Sequence, residues 1–158
     1  MRKILAFIVL AAATGLGPSA TLAADTGPAV QQPNASERLN LARVAVRNKD
    51  WKKSLAELNL AVREEPRNAD IHNLLAYSYR KQASPNLPKA FEHYHTALRL
   101  NPKHKGAHEY IGEAYLMDKK PAEAEKHLAE LEKICGNKTC EEYADLAKAV
   151  ADYKVKNP

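Results

Sequence analysis

The apolar residues of this chain fall into two regimes. Ile4 to Leu16 is one apolar run, broken only by Thr14 and Gly15. After about residue 34 the pattern is instead periodic at two levels. Leu41-Ala42 returns 34 residues later as Leu75-Ala76, and 36 further on as Ile111-Gly112. Ala45 maps to Tyr79 and Tyr115, Ser54 to Ala90 and Ala124, Ala61 to Ala97 and Leu131, and Pro66 to Pro102. One two-residue insertion between Tyr79 and Ala90 accounts for the change of offset. A period near 34 residues is the length of one supersecondary unit that buries its apolar face against copies of itself.

Each unit reads as two antiparallel helices. The first carries a large residue beside a small one (Leu41-Ala42, Leu75-Ala76, Ile111-Gly112), with Tyr79 and Tyr115 further along. The second carries a small residue and then bulk, in the pairs Ser54 and Leu58, Ala90 and Tyr94, Ala124 and Leu128. Small residues let two helix backbones approach, and bulky ones fill the remaining gaps. Asp50, Asn68 and Asn86 are expected N-caps, and Pro121 is expected to open a second helix. Beyond the third unit, Tyr143, Leu146, Val150 and Tyr153 form one apolar stripe. Thr139 with Glu142 reads as a capping box for that final helix.

This pattern resembles the tetratricopeptide repeat (TPR) family from about Asn34 to Cys135. The departures are Arg38, His72 and His108 at the usual first-helix tryptophan, Ala45 at an aromatic position, and Gly136 where the third unit would end in proline. The resemblance implies an all-α fold, a right-handed α-α superhelix of about three TPR hairpins (35–68, 69–104 and 105–138) plus a C-terminal capping helix in 139–158. It also implies an inner groove lined by first-helix positions. Carried onto this sequence these are Leu39, Arg43, Val46 and Arg47, then Asn73, Tyr77, Arg80 and Lys81, then Glu109, Glu113 and Leu116. Arg43, Arg47, Arg80 and Lys81 are expected to make one end positive and Glu109 and Glu113 the other negative. An extended peptide or a helix with an acidic group at the arginine end would fit such a groove. Leu39 and Arg43 stand where the two-carboxylate clamp of chaperone-binding TPR proteins has Lys and Asn, so that ligand is not expected.

Composition places the chain in a compartment. Arg2 and Lys3, the apolar run and then Thr21 and Ala23 read as a signal peptide over 1–23, cleaved after Ala23. An uncleaved anchor is the alternative, although the run is short against the roughly 20 residues of a membrane span. Residues 24–33 read as a linker without a core. The remainder carries 24 − 2 = 22 basic against 19 acidic residues. That +3 balance does not call for nucleic acid as a partner. The expected location is periplasmic, or secreted if the source is not a Gram-negative bacterium, with no stable membrane insertion after cleavage.

The two cysteines, Cys135 and Cys140, flank a short turn. In an oxidising compartment they are expected to form a disulfide that pins the final helix, restraining the unfolded chain by roughly 2 kcal/mol. Redox exchange is the alternative, although two intervening residues would be usual for it and here there are four. Short exported bacterial TPR proteins have a similar tail, with a cysteine pair followed by Glu-Glu-Tyr.

The six histidines do not complete a tetrahedral ligand set at familiar spacing. His72 and His108 share one repeat position and are expected to pack between neighbouring first helices. There is no nucleophile elbow, phosphate loop or HExxH. The expectation is a non-enzymatic adaptor with no cofactor and no metal, binding a protein or peptide. The alternative is an accessory factor for an exported redox or metal enzyme that uses the cysteines or histidines.

Overall fold

A computed structural model describes residues 32–158. The signal-peptide assignment and most of the linker lie outside the described residues. Gln32–Pro158 forms one compact unit. Among the described residues the elements are all helical: α1 (Ala35–Arg47), α2 (Trp51–Glu64), α3 (Ala69–Lys81), α4 (Leu87–Leu100), α5 (Lys105–Met117), α6 (Pro121–Cys135) and α7 (Glu141–Lys156).

Side chains define most of the helix starts. Asp50 Oδ1 accepts from Lys53 N at 3.0 Å, Asn68 Oδ1 from Asp70 N at 3.0 Å, and Asn86 Oδ1 from Lys89 N at 3.2 Å. Pro121 stands in the first turn of α6, where a missing N–H costs nothing. Two caps were not anticipated. Asn34 and Glu37 form a reciprocal capping box, and His104 Nδ1 accepts from Ala107 N at 3.1 Å. The expected capping box at Thr139 is absent. Cys140 is the N-cap of α7 and makes no side-chain cap bond, while the Thr139 hydroxyl donates to Asn137 Oδ1 at 2.9 Å. The turn has rotated that hydroxyl away from the helix it was meant to cap.

The helices pair as α1/α2, α3/α4 and α5/α6, and the hairpins stack through α2 against α3 and α4 against α5. Curvature follows from which helices meet over longer range. α1 touches α3, α3 touches α5 and α5 touches α7, whereas α2 and α4, or α4 and α6, do not pack together. Successive first helices therefore line the inside of the superhelix, and second helices splay on its outside. α7 lies against both α5 and α6, where the first helix of a fourth repeat would stand.

The seams bury the repeated residues. Leu75 packs with Leu39, Ala42, Leu58 and Ile71, and Ile111 packs with Ala76, Ala90 and Tyr94. Leu116, Ala124, Leu131, Leu146 and Val150 close the stack. Leu41 departs from the expectation. It is exposed, although its counterparts Leu75 and Ile111 are fully buried. No hairpin precedes the first among the described residues, so this seam position has nothing to pack against.

The insertion is visible in a single hydrogen bond. Asp50 N donates to Ala45 O and Lys120 N to Tyr115 O, both at 2.8 Å and five residues apart. The corresponding bond in the second repeat, Asn86 N to Tyr79 O at 3.0 Å, spans seven. The two short turns reach their geometry with Lys49 and Lys119 at φ 57° and 59°, a left-handed conformation that a non-glycine residue adopts at a cost. The longer loop of the second repeat has no positive φ.

Candidate functional site

The inner face is built from α1, α3 and α5, with α7 at its end. Arg43, Arg47 and Lys81 are exposed on it, and Val46, Tyr77 and Glu113 are half-buried. Two of the residues assigned to the groove are core instead. Leu39 belongs to the α1/α2/α3 cluster and Leu116 to the α5/α6/α7 cluster, at 6% and 8% exposure. Each sits beside the face rather than on it, because the neighbouring helix covers that side of the turn. Met117, the third-repeat counterpart of Arg47 and Lys81, is exposed and was not foreseen.

The expected separation of charge into a positive and a negative end does not hold for Arg80. Its side chain is buried and forms an ion pair with Glu113 of the next inner helix at 2.5 Å. It also donates from Nε to Tyr94 Oη at 3.2 Å. The guanidinium carbon lies 5.3 Å from the Tyr77 ring centroid and 5.7 Å from that of Tyr110. Tyr77 and Tyr110 are themselves 4.8 Å apart, and Trp51 joins them 6.2 Å from Tyr77. Arg80 is thus a structural cation inside an aromatic cluster. Arg43 is engaged as well, though loosely, with Asp70 at 3.4 Å and Asn40 at 3.2 Å.

Two polar groups at the centre lack partners. Asn73 is only 9% exposed, and its Oδ1 is buried without a hydrogen bond. Glu109 is 7% exposed and forms neither an ion pair nor a hydrogen bond among the described residues. Burial, reinforced by Glu113, Asp145 and Glu142 and opposed by Arg80, pushes its carboxyl up to about 8. Burial and Glu109 together push the Tyr110 hydroxyl up to about 12. Tyr110, Glu142 and Asp145 were missed in the sequence. Tyr110 is one position short of the Leu41/Leu75/Ile111 register, and the other two required α7 to act as a further inner helix.

The histidines pair within hairpins, not between first helices as expected. His72 Nδ1 meets His93 Nδ1 at 3.0 Å, and His108 Nδ1 meets His127 Nδ1 at 2.9 Å. His72 Nε2 lies 2.9 Å from Pro66 O, and His108 Nε2 lies 3.0 Å from Pro102 O. A carbonyl only accepts, so each Nε2 carries the proton and each first-helix Nδ1 accepts from its partner. In the first repeat the equivalent pair is ionic, with Arg38 reaching Glu57 at 3.1 Å and Glu64 at 3.3 Å. Burial, then the neighbouring His108 and His95, lowers the His127 imidazole to about 4.

Cys135 and Cys140 are joined in a disulfide that links the last residue of α6 to the N-cap of α7. With Glu142 they are the one cluster of three metal-ligand atoms among the described residues. The sulfurs are already bonded to each other and hold no thiolate to offer.

The sequence matches the tetratricopeptide repeat family model over residues 39–94 and 86–138. The chain belongs to the TPR family. Curated proteins give no significant match. Among solved structures, the type III secretion translocator chaperone SycD of Yersinia enterocolitica superposes with a TM-score of 0.68 at 14% identity, covering 77% of this chain and 92% of that one. The Sgt2 TPR domain of Aspergillus fumigatus superposes with a TM-score of 0.67 at 18% identity, covering 77% and 78%. At these identities the likeness is one of fold, the all-α helical-repeat superhelix. At the level of class, the chain is a protein–protein interaction module.

Proposed function

We propose that this protein is an exported, non-catalytic adaptor that holds a segment of a partner protein along the inner face of α1, α3 and α5. The observation that carries the reading is the pair of half-buried rings on that face, Tyr77 and Tyr110, 4.8 Å apart. They are rigid amphipathic groups of the kind that anchor interfaces. Export is supported by the basic-then-apolar start of the chain and by the Cys135–Cys140 bond. The histidines bond to one another and to backbone carbonyls, which leaves the enzyme-accessory reading without a specific observation in its favour.

The test is site-specific photocrosslinking in the native envelope. A benzophenone side chain replaces Lys81 on the inner face or Arg99 on α4, both exposed. Partner adducts are expected from position 81 and not from 99; equal labelling at both, or none at 81, would remove the groove. Mass analysis of the purified chain should find an N-terminus at Ala24.

A further inference from the structure

The proposed groove has a chemical preference opposite to the one its arginines suggest. Four carboxylates gather where α5 packs against α7: Glu113, Glu142 and Asp145 all lie close enough to Glu109 to act on it. Glu113 is neutralised by Arg80, and Lys105 approaches Glu142 only to 3.8 Å. Glu109 and Asp145 have no ion pair among the described residues. Glu109 is more than nine-tenths buried, yet its oxygens are not among the unpartnered atoms shut off from solvent. Its carboxyl therefore looks out through a narrow opening.

Asn73 marks the same place from α3. Its Nδ2 lies 3.5 Å from the point where a β-carbon on Gly106 would stand, and the Tyr110 ring lies 3.8 Å from that point. Gly106, without a side chain, thus sits against the Asn73 amide and the Tyr110 ring about one turn before Glu109. The carboxylates are too dispersed to share a bare metal ion, since no three of them fall within 4.8 Å. A delocalised or long-stemmed organic cation spans such a spread, and the face of Tyr110 suits it.

We propose that the inner face accepts an arginine or lysine side chain of an extended partner segment between Glu109 and Asp145, beside the ring of Tyr110. This rests on the groove reading and names its occupant. An incoming cation would offset the burial and the neighbouring carboxylates that push the Glu109 carboxyl up, so complex formation and ionisation of this carboxyl would support each other.

Random dodecapeptides displayed on phage, panned against the full chain, test it. The expected peptides carry Arg or Lys at a fixed position. Their Kd should weaken at least tenfold with Glu109→Gln or Asp145→Asn, and stay within twofold with Arg99→Gln on the outer helix α4. Glu109→Gln keeps the shape of the carboxyl and removes a buried charge, so the variant should fold, which circular dichroism checks. Peptides that are neutral or acidic, lose binding with Tyr77→Ala and ignore Glu109→Gln would overturn the basic occupant and leave the groove standing. A panning that yields no Tyr77-dependent peptide would overturn both.

Discussion

At Gly112, α7 packs tightly onto α5. A β-carbon there would stand 2.6 Å and 2.7 Å from the two δ-carbons of Leu146 and 3.3 Å from its γ-carbon. Leu146 is fully buried, so it cannot swing into solvent to make room. The first and second repeats carry Ala42 and Ala76 at this position; only the third meets a leucine from α7. Gly112→Ala combines two opposed effects. Alanine within a helix gains roughly 1 kcal/mol over glycine, and overpacking a filled core costs about 1–3 kcal/mol. The net expectation is a loss of about 0–2 kcal/mol, or a Tm lower by up to roughly 8 °C for a body of this size. Thermal melts followed by circular dichroism measure it, and hydrogen exchange should place the loosening in α7. The diagnostic is the sign change in a second background. With Leu146→Ala the clash is gone, and Gly112→Ala should then be neutral or stabilising. A Gly112→Ala protein that melts higher than the parent would refute the close-packing argument outright.

Three further outcomes are expected. Reducing the disulfide, or Cys140→Ser, should cost about 2 kcal/mol for so short a loop, with faster amide exchange at the start of α7. Because the His127 imidazole is lowered to about 4 in the folded protein against an ordinary value of about 6.5, the unfolded chain takes up its proton first on acidification. In a Glu109→Gln background, which removes the carboxyl pushed up to about 8 and its opposite pH dependence, the His127 contribution to stability should therefore be flat above about pH 7 and fall between about pH 6.5 and 4, by roughly 1–2 kcal/mol once solvent screening of a half-buried ring is allowed for; urea midpoints across this range test it, and adding His127→Gln should flatten the profile. Lys119→Gly, at φ 59°, should raise the Tm slightly, by an amount worth about 0.5–1 kcal/mol, where Lys105→Gly in the first turn of α5 should lower it.

Repeat length, hairpin pairing and the insertion were legible in the sequence because each is written in residues that must be small or large at a seam. Ala42, Ala76, Ala90 and Ala124 are fully buried for that reason. What the repeat pattern could not convey is which side of a first helix the next hairpin covers. Leu39 and Leu116 differ from true inner-face residues only by that, and Leu41 is exposed because its seam has no preceding hairpin among the described residues. The cap at Thr139 failed for a local reason. The Cys135–Cys140 link and the Asn137 side chain fix the turn in a conformation that a four-residue motif cannot anticipate.

The polar contacts were harder to read than the core, yet they follow an arithmetic of their own. Across a hairpin the paired positions are Arg38 and Glu57, His72 and His93, His108 and His127, separated by 19, 21 and 19 residues. The middle value exceeds the others by two, the length of the insertion. Between successive inner helices the pairs are Arg43 with Asp70, Asp70 with His104, Arg80 with Glu113 and Lys105 with Glu142, 27, 34, 33 and 37 residues apart. A solenoid brings together residues about one repeat apart, because each inner helix leans on the next. Sorting charges by helix placed Arg80 and Glu113 at opposite ends of the groove. Sorting them by repeat offset would have paired them, and would have left Glu109 and Asn73 as the buried polar residues of the inner face without a partner.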